Sequence, residues 1–256
     1  MLICPVRECG LELRKELRRV FCPRGHSFDF ARSGYLNLLQ PQDRRSREPG
    51  DTTSALAARR RLHDRGVTAP MLRAVAEMLC ATSVDSVLEA GCGDGMYLGS
   101  LAEGSGCEGH GVDISAAAVD AAARRYPRCE WVVANADRSL PYSAGSFSIV
   151  LSITARMNAA EFRRVLRNDG RLLVGVPAPD DLVELRGAGR DRVARTIETF
   201  SREFALVGQK RATNTVELDA AGVEDVLHAI YRPMRAQPVE AGRVTFSLDL
   251  LLFRRI

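Results

Sequence analysis

The spacing of apolar residues changes character along the chain. From residue 86 onward, short apolar runs alternate with stretches whose apolar positions recur every three or four places. Residues 86–90, 109–114, 130–134, 148–153 and 171–176 are short and almost continuously apolar, which predicts strands buried on both faces. Residues 116–126 and 159–166 carry the helical period between them. Such alternation predicts an α/β fold, a doubly wound parallel sheet with helices on both faces. The C-terminal part breaks the rhythm. Two longer runs, 204–218 and 243–253, flank a short helical stretch at 221–230 and read as closing strands with an antiparallel pair.

Upstream of the sheet, helical spacing predicts elements over 55–64 and 69–80. Thr53 or Ser54 is the expected N-cap of the first and Gly66 its stop. The preceding PQDRRSREPGDTTS is a loop by its proline, glycine and polar density. The first 35 residues have no clear period and are punctuated by Phe21, Phe28, Phe30 and Tyr35. Three regions follow: a small module at 1–36, a linker with helices at 37–82, and the large α/β domain at 83–256.

Composition narrows the class. No apolar run reaches the roughly 20 residues of a membrane span, and the start lacks the basic-then-apolar order of a signal peptide. A cytoplasmic protein with no membrane partner is expected. Positive charge is concentrated early: residues 1–73 carry 15 Lys and Arg against 8 Asp and Glu, and the rest carry 21 against 24. Only Lys15 and Lys210 are lysines, so the excess is arginine, the side chain that best forks onto phosphate. Arg44, Arg45, Arg47, Arg59, Arg60 and Arg61 form the densest group. They read either as a phosphate-binding surface for folded RNA or as a solvated helix face.

The stretch VLEAGCGDGMY, 87–97, ends a predicted strand on three alternating glycines, Gly91, Gly93 and Gly95. In open α/β sheets ligands bind at the carboxyl ends of strands, where bare backbone and a helix N-terminus allow close approach. A dinucleotide fingerprint needs G-x-G-x-x-G; here the spacing is G-x-G-x-G, with Glu89 before it and Asp94 within it. Carboxylates there repel a pyrophosphate and suit the sulfonium and amino group of S-adenosylmethionine (SAM). Asp113, at the next strand end, stands where a ribose-binding acid belongs. Asn135 and Asp137 close the third strand, at the adenine edge. The competing reading makes Asp113 and Asp137 ordinary strand-end turn residues. His63 and His110 are expected to be partly exposed and without a role.

Cys4, Cys9, Cys22 and His26 are spaced C-x4-C-x12-C-x3-H, a ligand set for a closed tetrahedral zinc site. A module this small draws its stability from the metal. On this reading, Cys22→Ser releases the zinc and unfolds the first 35 residues while leaving the large domain able to bind SAM.

The segment CPRGHSFDFARSGYLNLL, followed by REPGDTTSALAARRRLHDRG and VLEAGCGDG, resembles the RlmA-type ribosomal RNA guanine-N1 methyltransferases over nearly the whole chain. The resemblance implies a zinc module, a linker helix and a Rossmann-like SAM-dependent methyltransferase domain that modifies a hairpin of large-subunit RNA. It also implies a possible homodimer and, for some members, macrolide resistance in the producing host. The family's cofactor-contacting tyrosine after the linker helix and its His-Leu pair after the fifth strand correspond here to Thr68 and to Asp181-Leu182. The loop after the fourth strand reads SITARMNAAE in place of a proline-containing run, residues 230–234 (IYRPM) replace a Met-Thr-Pro-aromatic stretch, and the first cysteine pair is two residues wider. These departures imply retained cofactor use with room for an altered acceptor, so a small-molecule methyltransferase stands as the alternative. The catalytic base is not assigned; Asp181 and His228 are the titratable residues near the expected pocket edge, with His228 more in keeping with a helix face.

Overall fold

The computed structural model describes residues 2–43, 50–80, 82, 84–230 and 240–256. The chain opens with a three-stranded antiparallel ribbon, β1 (Arg14–Glu16), β2 (Arg19–Phe21) and β3 (Ser27–Asp29). A two-residue strand, β4 (Leu36–Asn37), leaves the ribbon. Two helices follow, α1 (Thr53–Asp64) and α2 (Ala69–Leu79).

The large domain then winds through β5 (Ser86–Ala90), α3 (Met96–Ser105), β6 (Glu108–Asp113), α4 (Ala116–Arg125), β7 (Glu130–Val133), β8 (Phe147–Ile153), α5 (Ala159–Val165) and β9 (Leu166–Pro177). The helices α6 (Val183–Arg186) and α7 (Val193–Phe200) lead to β10 (Phe204–Leu218), α8 (Ala220–Ala229) and β11 (Gly242–Arg255). The sheet order is β10-β11-β9-β8-β5-β6-β7-β4. The strands from β9 to β4 run parallel, and β11 is antiparallel to both β9 and β10. Order reverses at β5, so the crevice above that strand is the topological switch point where ligands bind.

The predicted strands are all present, with shifted bounds. β9 starts at Leu166 and the strand bearing Asp113 ends on it. The ribbon strands are too short to show a period in the sequence, and α7, whose buried Thr196 and Phe200 share one face, is not among the predicted elements. Thr52, rather than Thr53 or Ser54, caps α1: its Oγ1 accepts a hydrogen bond from the Ala55 N–H at 3.2 Å. The cap falls one residue early because Thr53 already has helical backbone. Gly66 ends α1 with φ +76°, the left-handed turn that glycine makes without strain.

One hydrophobic cluster runs through both parts of the molecule. Cys4, Leu13, Val20, Leu36 and Leu38 of the N-terminal part pack in the same cluster as Leu88, Val112, Val132, Tyr142 and Phe147 of the sheet. β4 adds main-chain continuity by pairing in parallel with β7, Leu36 opposite Val132, and the Leu38 N–H donates to the Val133 carbonyl at 2.9 Å. His110 is buried in this region, 1% exposed, contrary to expectation. It lies on β6 within the sheet, with Tyr142 and Phe147 set edge-on to its ring, and the Glu108 and Glu130 carboxylates 3.2 Å from its nitrogens.

Candidate active site and zinc centre

β5 delivers its last residues to a turn with three left-handed glycines, at φ +79°, +53° and +78° for Gly91, Gly93 and Gly95. The reasons for the three differ. A Cβ on Gly91 would stand 2.5 Å from the Ala155 Cβ, and one on Gly95 2.4 Å from the Trp131 ring, so these two are bare to let the fold close. A Cβ on Gly93 would meet only the Arg59 guanidinium, at 3.5 Å. Of the three, Gly93 alone has an open side, next to Arg59.

The carboxylates around this turn are ordered by backbone donors. Asp113 accepts from the Gly93 N–H through Oδ2 at 2.9 Å and from the Ser115 N–H through Oδ1 at 2.8 Å. Burial raises its pKa. Glu89 is fully buried beneath the turn, where Oε2 accepts from the Leu98 N–H at 3.0 Å in the first turn of α3. That burial pushes its pKa up to about 8. Asp94 is buried within the turn itself. Asn135 stands at the end of β7 with both side-chain ends engaged, Nδ2 donating to the Asp43 carbonyl and Oδ1 accepting from the Asp137 N–H. Asp137 is exposed and paired with Arg156 at 3.3 Å.

Beside the turn lies a cleft of about 180 Å³ closed by α1, α2, α8 and β11, and lined in part by Arg59, His63, Thr68, Tyr97, Thr154 and Asp181. Thr68 and Asp181 therefore stand together in one site. Thr68 Oγ1 is 2.9 Å from His63 Nδ1. His63, expected to have no role, lines this cleft, and desolvation lowers its pKa to about 4, so its ring is neutral at physiological pH. Asp181 accepts from the Ser247 N–H at 2.9 Å and from Arg186 at 2.6 Å, and its burial raises its pKa. Thr154 holds φ +52°, a strained setting for a β-branched residue, at the carboxyl end of β8. No sequence pattern signals that strain, and His63 carried no motif of its own. His228 is exposed on α8, as its helical spacing suggests.

The arginine group divides. Arg59 is half-buried and bound to Asp51 at 2.7 Å; Arg61 makes a bidentate pair with the buried Asp225 of α8; Arg60 is exposed. Arg59 is thus part of the cleft and not of an outer phosphate-binding face, because α1 turns it inward. Arg44, Arg45 and Arg47, and the 231–234 part of the substituted IYRPM stretch, lie outside the described residues.

In the ribbon, one ligand atom from each of Cys4, Cys9, Cys22 and His26 lies within 4.8 Å of the others. Cys9 Sγ and Cys22 Sγ are 3.7 Å apart, and His26 Nδ1 is 3.3 Å from Cys4 Sγ and 3.4 Å from Cys22 Sγ. Ligands about 2.3 Å from a tetrahedral zinc stand about 3.8 Å apart for sulfur pairs, so the donor set fits the ion through Nδ1 of His26.

A family model described as "RlmA, N-terminal" matches residues 2–47, and one described as "Methyltransferase domain" matches residues 87–174. The 23S rRNA (guanine(748)-N(1))-methyltransferase of Streptomyces fradiae is 38% identical over 85% of this chain and 80% of its own length. The chain belongs to the RlmA family. A second relative, from Micromonospora griseorubida, is 34% identical over 85% of this chain and 81% of its own. Among solved structures, the MccD protein aligns with a TM-score of 0.50 at 17% identity, covering 72% of this chain and 96% of that one. The [4+2]-cyclase SpnF also gives 0.50 at 17% identity, covering 72% and 80%. These structural likenesses concern the fold alone. As an RlmA-family protein the chain is a SAM-dependent methyltransferase with an N-terminal zinc ribbon. No helix among the described residues is long and apolar enough to cross a membrane.

Proposed function

We propose that this chain methylates N1 of a guanine in 23S ribosomal RNA, using SAM as donor. The observation that carries the reading is the 38% identity to the Streptomyces fradiae guanine-N1 methyltransferase, which covers 85% of this chain. The site chemistry agrees with it. When bound, SAM supplies a methyl group on a cationic sulfur. The bare face of Gly93 admits close approach of the donor, Asp113 offers its free lone pairs to ribose hydroxyls, and Asp94 gives negative potential for a sulfonium and an ammonium, with Glu89 buried beneath the turn as a neutral acid that orders the start of α3. Asn135 and Asp137 would bound the adenine end. Thr68 and Asp181 line the cleft where the methyl acceptor enters.

Methyl transfer is in-line, so the chain's contribution is positioning and exclusion of water. Loss of the guanine N1 proton calls for an acceptor, and His63 and Asp181, which line the cleft together with Tyr97, are the candidates. The zinc ribbon and the exposed arginines supply the RNA-facing surface, by charge and shape.

Incubation with methyl-tritiated SAM tests the reading. Label should enter 23S RNA, a primer-extension stop should mark one guanine, and yield should fall steeply as salt rises. Unlabelled ribosomal RNA beside a labelled low-mass pool would overturn it in favour of a small-molecule acceptor.

A further inference from the structure

The donor is a zwitterion at its amino-acid end, and the cleft must meet both signs. The residues around the glycine turn are acidic: Glu89, Asp94 and Asp113 all lie there. Arg59 is the cationic exception. It reaches over the turn from α1, and its Nη1 lies 3.5 Å from where a Gly93 Cβ would stand. Its partners hold it from the far side. Nη1 donates to Asp51 Oδ2 at 2.7 Å and Nη2 to the Ala229 carbonyl at 3.3 Å. Two of its five N–H groups are thereby used among the described residues.

The anchoring is itself braced. Gly50, at φ +90°, lies so close to Ser115 that a Cβ would come within 2.6 Å of the Ser115 Cβ. Ser115 Oγ donates to the Asp51 carbonyl at 3.4 Å, and the Ser115 N–H donates to Asp113. Asp51 thus connects the acid at the ribose end with the guanidinium at the other end of the turn. A half-buried guanidinium held by two partners and standing beside the bare backbone of Gly93 is a preformed seat for a carboxylate.

We propose that Arg59 binds the carboxylate of the methyl donor's methionyl group and so sets the donor's position along the Gly93 turn. This rests on the donor site and is independent of which acceptor is methylated.

The experiment is a cycle between side chain and ligand, read by calorimetry on the zinc-loaded full chain. The ligands are SAM and decarboxylated SAM, which keeps the sulfonium, amine and nucleoside but lacks the carboxylate. The wild-type chain should bind SAM about tenfold or more tightly than the decarboxylated donor, the scale of a charge-assisted pair. Arg59→Gln should lose that preference, weakening SAM about tenfold while leaving the decarboxylated donor within about twofold. Equal wild-type affinity for the two donors overturns the role of Arg59 without recourse to a variant. So does an equal loss for both donors in Arg59→Gln. If the wild-type chain binds neither, the donor site itself falls, a result distinct from failure on ribosomal RNA.

Discussion

At the residue scale, the glycine turn shows how one motif serves two masters. Gly91 and Gly95 are demanded by Ala155 and Trp131, whereas a Cβ on Gly93 would meet only the Arg59 guanidinium, and the proposed donor site uses that open face. Gly95→Ala should therefore act on stability, lowering it by roughly 1–3 kcal/mol through overpacking against Trp131 and strain at positive φ, as read by chemical denaturation. Gly93→Val should instead weaken SAM at least about tenfold by filling the open face, with binding read by calorimetry. Glu89 adds a pH signature. Its carboxyl has an ordinary value of 4.5 and is raised to about 8 when folded, so the folded state holds the proton more tightly than the unfolded one. Its contribution to stability is complete below about 4.5 and is lost as pH rises through about 8. Glu89→Gln, which can still accept from the Leu98 N–H, should flatten that decline in the donor-free protein, seen as a melting temperature that falls less across the window. The motif's spacing was legible in the sequence. The division of labour among its glycines was not, because it depends on Ala155 and Trp131 arriving from distant strands.

At the scale of elements, strands buried on both faces announced themselves as apolar runs, and β5 to β9 emerged where the runs stand. Short elements did not. The ribbon strands are three residues each and mostly exposed, so no period could form. Helix α1 is the element whose meaning changed most. Read as an arginine-rich face, it instead turns Arg59 into the cleft and ties Arg61 to Asp225 of α8, so both helices close over one site. Inward and outward positions on a helix with arginines at three successive places cannot be told apart without its partners. Thr52→Ala should loosen this lid by removing the cap, destabilising by about 1 kcal/mol, with hydrogen exchange rising first in α1.

At the scale of the whole molecule, the ribbon is not an appendage. Its core residues belong to the cluster that also holds Leu88, Tyr142 and Phe147, and β4 extends the main sheet. Sequence composition suggested a separable module whose loss would spare SAM binding; the shared core argues otherwise. Stripping the metal with a chelator, or Cys22→Ser, should lower the melting temperature of the entire chain in one cooperative transition, and Leu36→Ala should do so with zinc still bound, by roughly 2–4 kcal/mol. Two separate transitions in scanning calorimetry would count against this coupling. The junction of Leu36 with Val132 also has a bearing on synthesis. The ribosome delivers the metal-binding end long before β7 exists, so the nascent ribbon can load its ion early yet must wait for the growing chain to provide the neighbour it leans on. A pause or truncation ahead of β7 would leave a metal-loaded stub with a bare edge, a natural target for chaperones or proteolysis.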